Sequence, residues 1–98
     1  MLQTELDHPW TLAELAKRLR IDRSYLVRRC RAATGLPPMA HLARLRAERA
    51  AELLRTTDWS VMKVGAAVGW PHPHHFARRF RARFACSPSA WRNREQPA

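Results

Sequence analysis

The sequence predicts an all-α fold in which two helix-turn-helix subdomains are joined by a long central helix. The chain is rich in Ala, Leu and Arg, and no stretch alternates polar and apolar residues as a half-buried strand would. Signals for helix ends recur along the chain, and one pattern of two consecutive helices occurs twice. With 98 residues, the chain has the length of one small domain.

Three residues are expected to cap helices at their N-terminal ends. Thr11 and Glu14 form the pattern of a capping box, in which each side chain bonds the backbone N–H of the other residue. Asp22 and Ser60 are the expected caps of two further helices, because their side-chain oxygens accept from free N–H groups of a first turn.

The central helix is expected to start at Pro37 and Pro38 and to run to about Arg55, since proline suits a first helical turn. Gly35 and Gly69 suit positions just past a helix end, where a left-handed backbone favours glycine. The expected bounds are 11–34 for the first helix-turn-helix, 37–55 for the linker helix, 60–84 for the second helix-turn-helix and 88–94 for a C-terminal helix.

An internal repeat is the most informative feature. The segment Trp10–Ala16 recurs as Trp59–Gly65, and Leu26–Ala32 recurs as Phe76–Ala82. Each copy has a first helix with a small residue in its middle, a short turn and a second helix rich in arginine. A small residue lets two helices cross closely, so the repeat predicts two helix-turn-helix units.

The charge points to nucleic acid as the partner. Lys and Arg number 18 against 8 Asp and Glu, which gives a formal net charge of +10. Only Lys17 and Lys63 are lysines, and arginine binds phosphate or the guanine edge through two bonds at once. Arginine codons are also frequent in G+C-rich genes, so the positions of the arginines must separate the two explanations.

A helical wheel divides the second helix of each unit into two faces. The residues expected to face inward are Leu26, Cys30 and Ala33 in the first unit and Phe76, Phe80 and Phe84 in the second. Arginines fall at matching outward positions of both copies. The residues predicted to contact base edges are Ser24, Val27, Arg28, His74, Ala77 and Arg78, and those predicted to contact phosphates are Arg23, Arg31 and Arg81.

Nothing in the sequence indicates catalysis, a cofactor or a metal. There is no glycine-rich phosphate loop, nucleophile motif or acidic cluster. The run from His72 to His75 has no Cys or carboxylate near it in sequence to complete a tetrahedral metal site. Cys30 and Cys86 are expected to be packed free thiols in a reducing cytoplasm, and no apolar segment is long enough to span a membrane.

The motifs together resemble the AraC/XylS regulators over about His8 to Arg94. The matching segments are Trp10–Ala16, Tyr25–Leu26, Thr34–Gly35, Leu45–Arg46, Ala50–Leu54, Val68–Trp70, Phe76–Phe80 and Ser87–Arg92. The resemblance implies seven helices, the first over about Leu2 to Asp7, with recognition helices over 23–33 and 73–84 in successive major grooves. It also implies a bacterial transcription activator that contacts RNA polymerase, with an effector or dimerisation domain on an absent N-terminal segment.

The sequence departs from the family pattern at a few positions. Cys30 stands where a large aromatic residue is usual, and Arg29 where an apolar residue is frequent. Ala85 stands where glycine usually ends the helix. Pro73 and Ala77 replace residues that are often polar base readers.

Two alternatives to a DNA-binding regulator remain at this point. A basic helical RNA-binding or polymerase-interaction module fits the charge, although RNA binding predicts exposed aromatic residues and a preference for single strands. A small hydrolase or metalloenzyme fits less well, because no nucleophile–base pair or ligand set is present.

Overall fold

The structure is a computed structural model that describes residues 5–95, and it contains six α-helices there. Their bounds are α1 Leu12–Leu19, α2 Arg23–Thr34, α3 Pro38–Thr56, α4 Val61–Ala67, α5 Pro73–Phe84 and α6 Pro88–Glu95. The described residues form no strand, so the all-α prediction is confirmed for them. We call α1 and α2 the first helical pair and α4 and α5 the second.

The expected number of seven helices is wrong, because the helix expected over Leu2–Asp7 is not found. Residues 2–4 of that range lie outside the described residues, and residues 5–8 form turns. His8 N donates to the carbonyl of Glu5 at 3.2 Å, which closes a turn. Pro9 then disfavours a helical backbone at the residue before it.

Arg46 of α3 donates hydrogen bonds to carbonyls of this N-terminal segment. Its Nε donates to Leu6 O at 2.9 Å and its Nη2 donates to His8 O at 2.7 Å. The segment is therefore held by a tertiary contact, which gives these carbonyls partners that a helix would otherwise supply.

The three expected N-caps are confirmed. The bonds run from Glu14 N to Thr11 Oγ1 at 3.1 Å, from Ser24 N to Asp22 Oδ2 at 3.0 Å and from Lys63 N to Ser60 Oγ at 3.0 Å. The second half of the capping box is wrong, because the Glu14 carboxylate bonds His8 Nε2 at 2.9 Å. Glu14 thus joins α1 to the N-terminal segment.

Four residues adopt a positive φ at or near helix ends. Gly35 at 78° and Gly69 at 98° do so as the sequence predicts. Arg20 at 58° and Ala85 at 63° also have a positive φ, although neither is a glycine. Ala85 therefore keeps the left-handed backbone that glycine would adopt at lower cost.

The helices enclose two hydrophobic cores, and α3 contributes to both. The first core consists of Leu6, Trp10, Leu15, Ala16, Leu26 and Leu42. The second consists of Ala47, Ala50, Ala51, Leu53, Leu54, Val64, Val68, Trp70, Phe76 and Phe80. Three aromatic residues of the second core come from the α4–α5 turn and α5, namely Trp70, Phe76 and Phe80. In the first core, α2 contributes only Leu26.

Ala33 lies on the surface, which corrects its expected inward position. It lines an open groove of about 450 Å³ together with Leu19, Tyr25 and Cys30, and Cys30 is only half-buried. Because these small side chains leave the groove unfilled, the second half of α2 is not covered by the core.

The small residues in the middle of the first helices are buried, as expected for a close helix crossing. Ala16 is 4% exposed, and Gly65 is buried against α5. A Cβ at position 65 would lie 2.7 Å from Phe76 Cδ2 and 2.7 Å from the carbonyl oxygen of Trp70. The crossing of α4 and α5 therefore requires glycine.

We expect Gly65→Ala to lower the free energy of unfolding by about 1–3 kcal/mol, because the added methyl overpacks the crossing. Urea unfolding followed by circular dichroism measures this. Without a clash, alanine would stabilise a helix interior by about 0.5–1 kcal/mol. A stability at or above that of the parent would therefore contradict the close crossing.

We expect Ala85→Gly to raise the free energy of unfolding by about 1 kcal/mol, because glycine adopts the left-handed backbone without the steric cost of a Cβ. Ala82→Gly, at an exposed position inside α5, is the control and should lower stability by about 1 kcal/mol. Thermal unfolding of both variants measures these changes. If Ala85→Gly lowered the free energy of unfolding as much as Ala82→Gly, the left-handed backbone described at Ala85 would be contradicted.

Candidate nucleic-acid interface

Helix α2 is held on the first core by one side and leaves its charged side free. Asp22 caps its first turn, and Leu26 is buried. Arg23, Ser24 and Arg28 are exposed. This placement leaves the arginine-rich face open to a partner.

Helix α5 is anchored more firmly, by aromatic packing. The Phe76 and Phe80 rings meet edge to face at 5.8 Å, and Phe80 meets Trp91 of α6 at 6.0 Å. Trp91 Nε1 donates to the carbonyl of Ala51 in α3 at 3.2 Å, which ties α6 to the central helix. The outward face of α5 is thus supported by a packed layer on its other side.

The N-terminal end of α5 differs from that of α2. Pro73 occupies the first turn, and no side chain caps the helix at His72. Backbone N–H groups of this turn therefore lack the side-chain partner that Asp22 gives to α2. His74, predicted to contact bases, is exposed at this end.

The residues predicted to contact bases and phosphates lie mostly on the surface. Exposed are Arg23, Ser24, Arg28, Arg31, His74, Arg78 and Arg81, whereas Val27 and Ala77 are half-buried. Val27 and Ala77 hold the same repeat position, so each helix presents a small apolar patch beside longer polar side chains. The geometry is compatible with apolar contact to a base methyl group at both positions.

The predicted arginines are not engaged by carboxylates of the described residues. The ion pairs found in residues 5–95 join Glu14 to His8, Glu5 to Arg18, Glu52 to Arg49 and Glu48 to Arg83. None of them uses an arginine of the predicted site. These guanidinium groups are therefore free to bind an external anion.

Sequence reasoning missed Tyr25, which lies between two arginines. The guanidinium carbon of Arg28 is 6.0 Å from the centre of the Tyr25 ring, and that of Arg29 is 5.9 Å away. Cation–π attraction at this distance limits the positions that the Arg28 side chain adopts. A tyrosine three residues before an arginine on one helix was the signal available in the sequence.

His75 was also missed, and it differs from the two exposed histidines beside it. Its ring is half-buried, and its Nε2 accepts from Arg79 Nε at 3.3 Å. Burial and then the neighbouring Arg79 and Arg78 charges lower the pKa of His75 below its ordinary value. The lowered pKa favours the uncharged ring, whose Nε2 can accept the bond from Arg79. Among the residues described, no three His, Cys, Asp or Glu side chains lie together as a metal site.

No helix of residues 5–95 has the length and apolar character needed to cross a bilayer.

A family model described as a helix-turn-helix domain matches residues 15–94. The fold also matches a regulator of the AraC-type DNA-binding domain-containing proteins from Chromobacterium violaceum. The TM-score is 0.88 at 26% identity, over 99% of this chain and 88% of that one. This chain belongs to the AraC-type helix-turn-helix family.

Relatives within the AraC-type family are longer than this chain. The chain is 40% identical to the HTH-type transcriptional regulator CdhR of Pseudomonas aeruginosa over 88 residues, which is 90% of this chain and 26% of CdhR. The chain thus spans about a quarter of the length of that regulator.

One solved structure that this chain resembles is a complex with DNA. The DNA-binding domain of AdpA, a global transcriptional factor, was crystallised in complex with a target DNA. This chain matches it with a TM-score of 0.90 and 31% identity over 95% of this chain and 84% of that domain. Both helical pairs of this chain superpose together on that domain, because the match covers almost the whole chain.

Proposed function

We propose that this chain is the module of an AraC-type regulator that binds double-stranded DNA at specific sequences, with α2 and α5 in successive major grooves. The observation that carries the proposal is the match of both helical pairs, as one body, to a domain crystallised on its target DNA. The exposed arginines of α2 and α5, free of carboxylate partners among residues 5–95, supply the charge that DNA needs.

Arg28 and Arg78 are the proposed readers of guanine, through two bonds to O6 and N7. Ser24 and His74 lie one turn nearer the helix starts, where recognition helices reach base edges. Val27 and Ala77 offer apolar contact to thymine methyl groups. The phosphate contacts are assigned to Arg23, Arg31 and Arg81, which supply affinity that does not depend on sequence.

The whole regulator is proposed to regulate transcription at the bacterial chromosome, in the cytoplasm. Contact with RNA polymerase, and an effector or dimerisation domain elsewhere in the protein, are part of this proposal. The greater length of CdhR supports it, since three quarters of that regulator lie outside the matched region. No catalytic step is proposed for the DNA-binding module.

We expect Arg28→Ala and Arg78→Ala each to weaken binding by about 1–3 kcal/mol and to relax preference at one base pair. The probe is a duplex recovered by selecting random double-stranded DNA with the parent chain. Gel-shift titrations of this duplex, and of versions with each base pair replaced, give the affinity and the preference.

Arg81→Ala is the matched control for Arg78→Ala, because it removes the same charge from the same helix. We expect it to lower affinity evenly across sequences and to reduce the slope of affinity against salt concentration by about one unit. If Arg28→Ala kept the affinity and base preference of the parent, its assignment as a base reader would be wrong. Tighter binding to single-stranded RNA than to any duplex would favour the RNA-binding alternative.

A further inference from the structure

Arg46 lies where the two halves of the molecule meet. It is in the middle of α3, one turn after Leu42 of the first core and one turn before Ala50 of the second. Its guanidinium donates to Leu6 O at 2.9 Å and to His8 O at 2.7 Å. Both acceptors are backbone atoms, so they move only with the N-terminal segment itself.

The N-terminal segment is firmly part of the first half. Leu6 is buried in the first core. Trp10 Nε1 donates to Glu5 O at 2.9 Å, and His8 Nε2 bonds the carboxylate of Glu14 in α1 at 2.9 Å. The Leu6 carbonyl is therefore expected to move together with the first helical pair.

Gly69 is the residue of the second half that lies next to Arg46 and Leu6. It follows Val68, which is fully buried in the second core, at the end of α4. A Cβ on Gly69 would lie 2.7 Å from Leu6 O and 2.8 Å from Arg46 Nε. The backbone of the second helical pair therefore lies directly against the bond between Arg46 and Leu6.

The Arg46 side chain is held at this junction by the hydrogen bonds that its guanidinium donates. Burial lowers the pKa of Arg46, while the nearby Asp7 carboxylate acts in the opposite direction. A half-buried guanidinium is stable there because carbonyl groups accept its N–H bonds. Removing it leaves the carbonyl of Leu6 without this partner, whereas the carbonyl of His8 keeps the bond from Trp10 N at 2.8 Å.

We propose that Arg46 is the positioning residue that fixes the second helical pair relative to the first, so that the chain reads two half-sites at one spacing only. This inference rests on the proposed function. One base pair inserted between the half-sites moves the second groove by about 3.4 Å and turns it by about 35°. A pair of recognition helices locked at the Arg46 junction cannot follow that displacement, whereas a pair joined only through α3 can.

The experiment uses the duplex that the parent chain selects from random DNA, the same duplex with one base pair inserted or deleted between its half-sites, and a duplex with a single half-site. For the parent, we expect the insertion to weaken binding at least about 100-fold. For Arg46→Met, we expect about 10-fold weaker binding to the selected duplex and a loss of only about 10-fold on insertion. Affinity for the single half-site should stay within about 2-fold of the parent.

Two pairs of variants separate positioning from loss of charge and from backbone strain. Arg49→Met removes one charge from the same helix at an exposed position whose partner is Glu52, and it should keep the spacing preference of the parent. Gly69→Ala places a methyl against Leu6 O and should relax the preference as Arg46→Met does. Gly35→Ala has the same left-handed strain, with φ of 78°, but its Cβ would have nothing within 4 Å. We therefore expect Gly35→Ala to keep the spacing preference of the parent.

The outcomes separate the inference from the proposed function. If the parent selects no sequence, the proposed function fails. If the parent selects a duplex and both Arg46→Met and Gly69→Ala keep its full penalty on insertion, the positioning role of Arg46 is wrong. A uniform loss on all three duplexes, including the single half-site, would likewise overturn it, because it would indicate only structural support. Arg46→Lys, which retains the charge and one carbonyl bond, should restore part of the spacing preference.

Discussion

Helix α3 packs its first half into one hydrophobic core and its second half into another, and the rest of the structure depends on this arrangement. Leu42 belongs to the first core, while Ala47 and the apolar residues after it belong to the second. Arg46 lies between them and binds the N-terminal segment. Each helical pair is too small to enclose a core alone, so both use the same helix as a wall. Helices α2 and α5 are thereby carried by one continuous scaffold.

The two halves reach this arrangement with unequal packing. In the second half, the rings of Phe80, Phe84 and Trp91 pack on one another, with Phe84 and Trp91 4.7 Å apart. In the first half, Cys30 is only half-buried, and the Thr34 hydroxyl donates back to the carbonyl of Cys30 at 2.8 Å. The first half compensates with polar bonds around the N-terminal segment.

Besides the arginines paired with glutamates, two groups of arginines differ in a way that composition alone does not show. Arg46 and Arg92 direct their guanidinium groups at backbone carbonyls, with Arg92 Nε donating to Leu54 O at 3.1 Å. Those on the outer faces of α2 and α5 have no such acceptor among the described residues. Codon usage explains neither placement, because both are set by the fold. We propose DNA contacts only for arginines of the second group.

Local interactions were predictable from the sequence, because they involve residues a few positions apart. The N-caps at Thr11, Asp22 and Ser60 and the left-handed turn at Gly35 follow from such short-range chemistry. The repeat predicted two pairs of helices, and the structure contains α1 with α2 and α4 with α5 at these places. The roles of Arg28 and Arg78 stay predictions, since they concern contacts with DNA.

The tertiary structure decided what depends on distant residues meeting. The family resemblance implied a helix before Pro9, yet the carbonyls of Leu6 and His8 bind Arg46, which is about forty positions away. Glu14 bonds His8 instead of closing its capping box, because the folded segment brings His8 within reach. Local pattern predicted the helices themselves, whereas the polar bonds between distant residues were visible only in the tertiary structure, because no periodicity in the sequence encodes which carbonyl a distant guanidinium will bind.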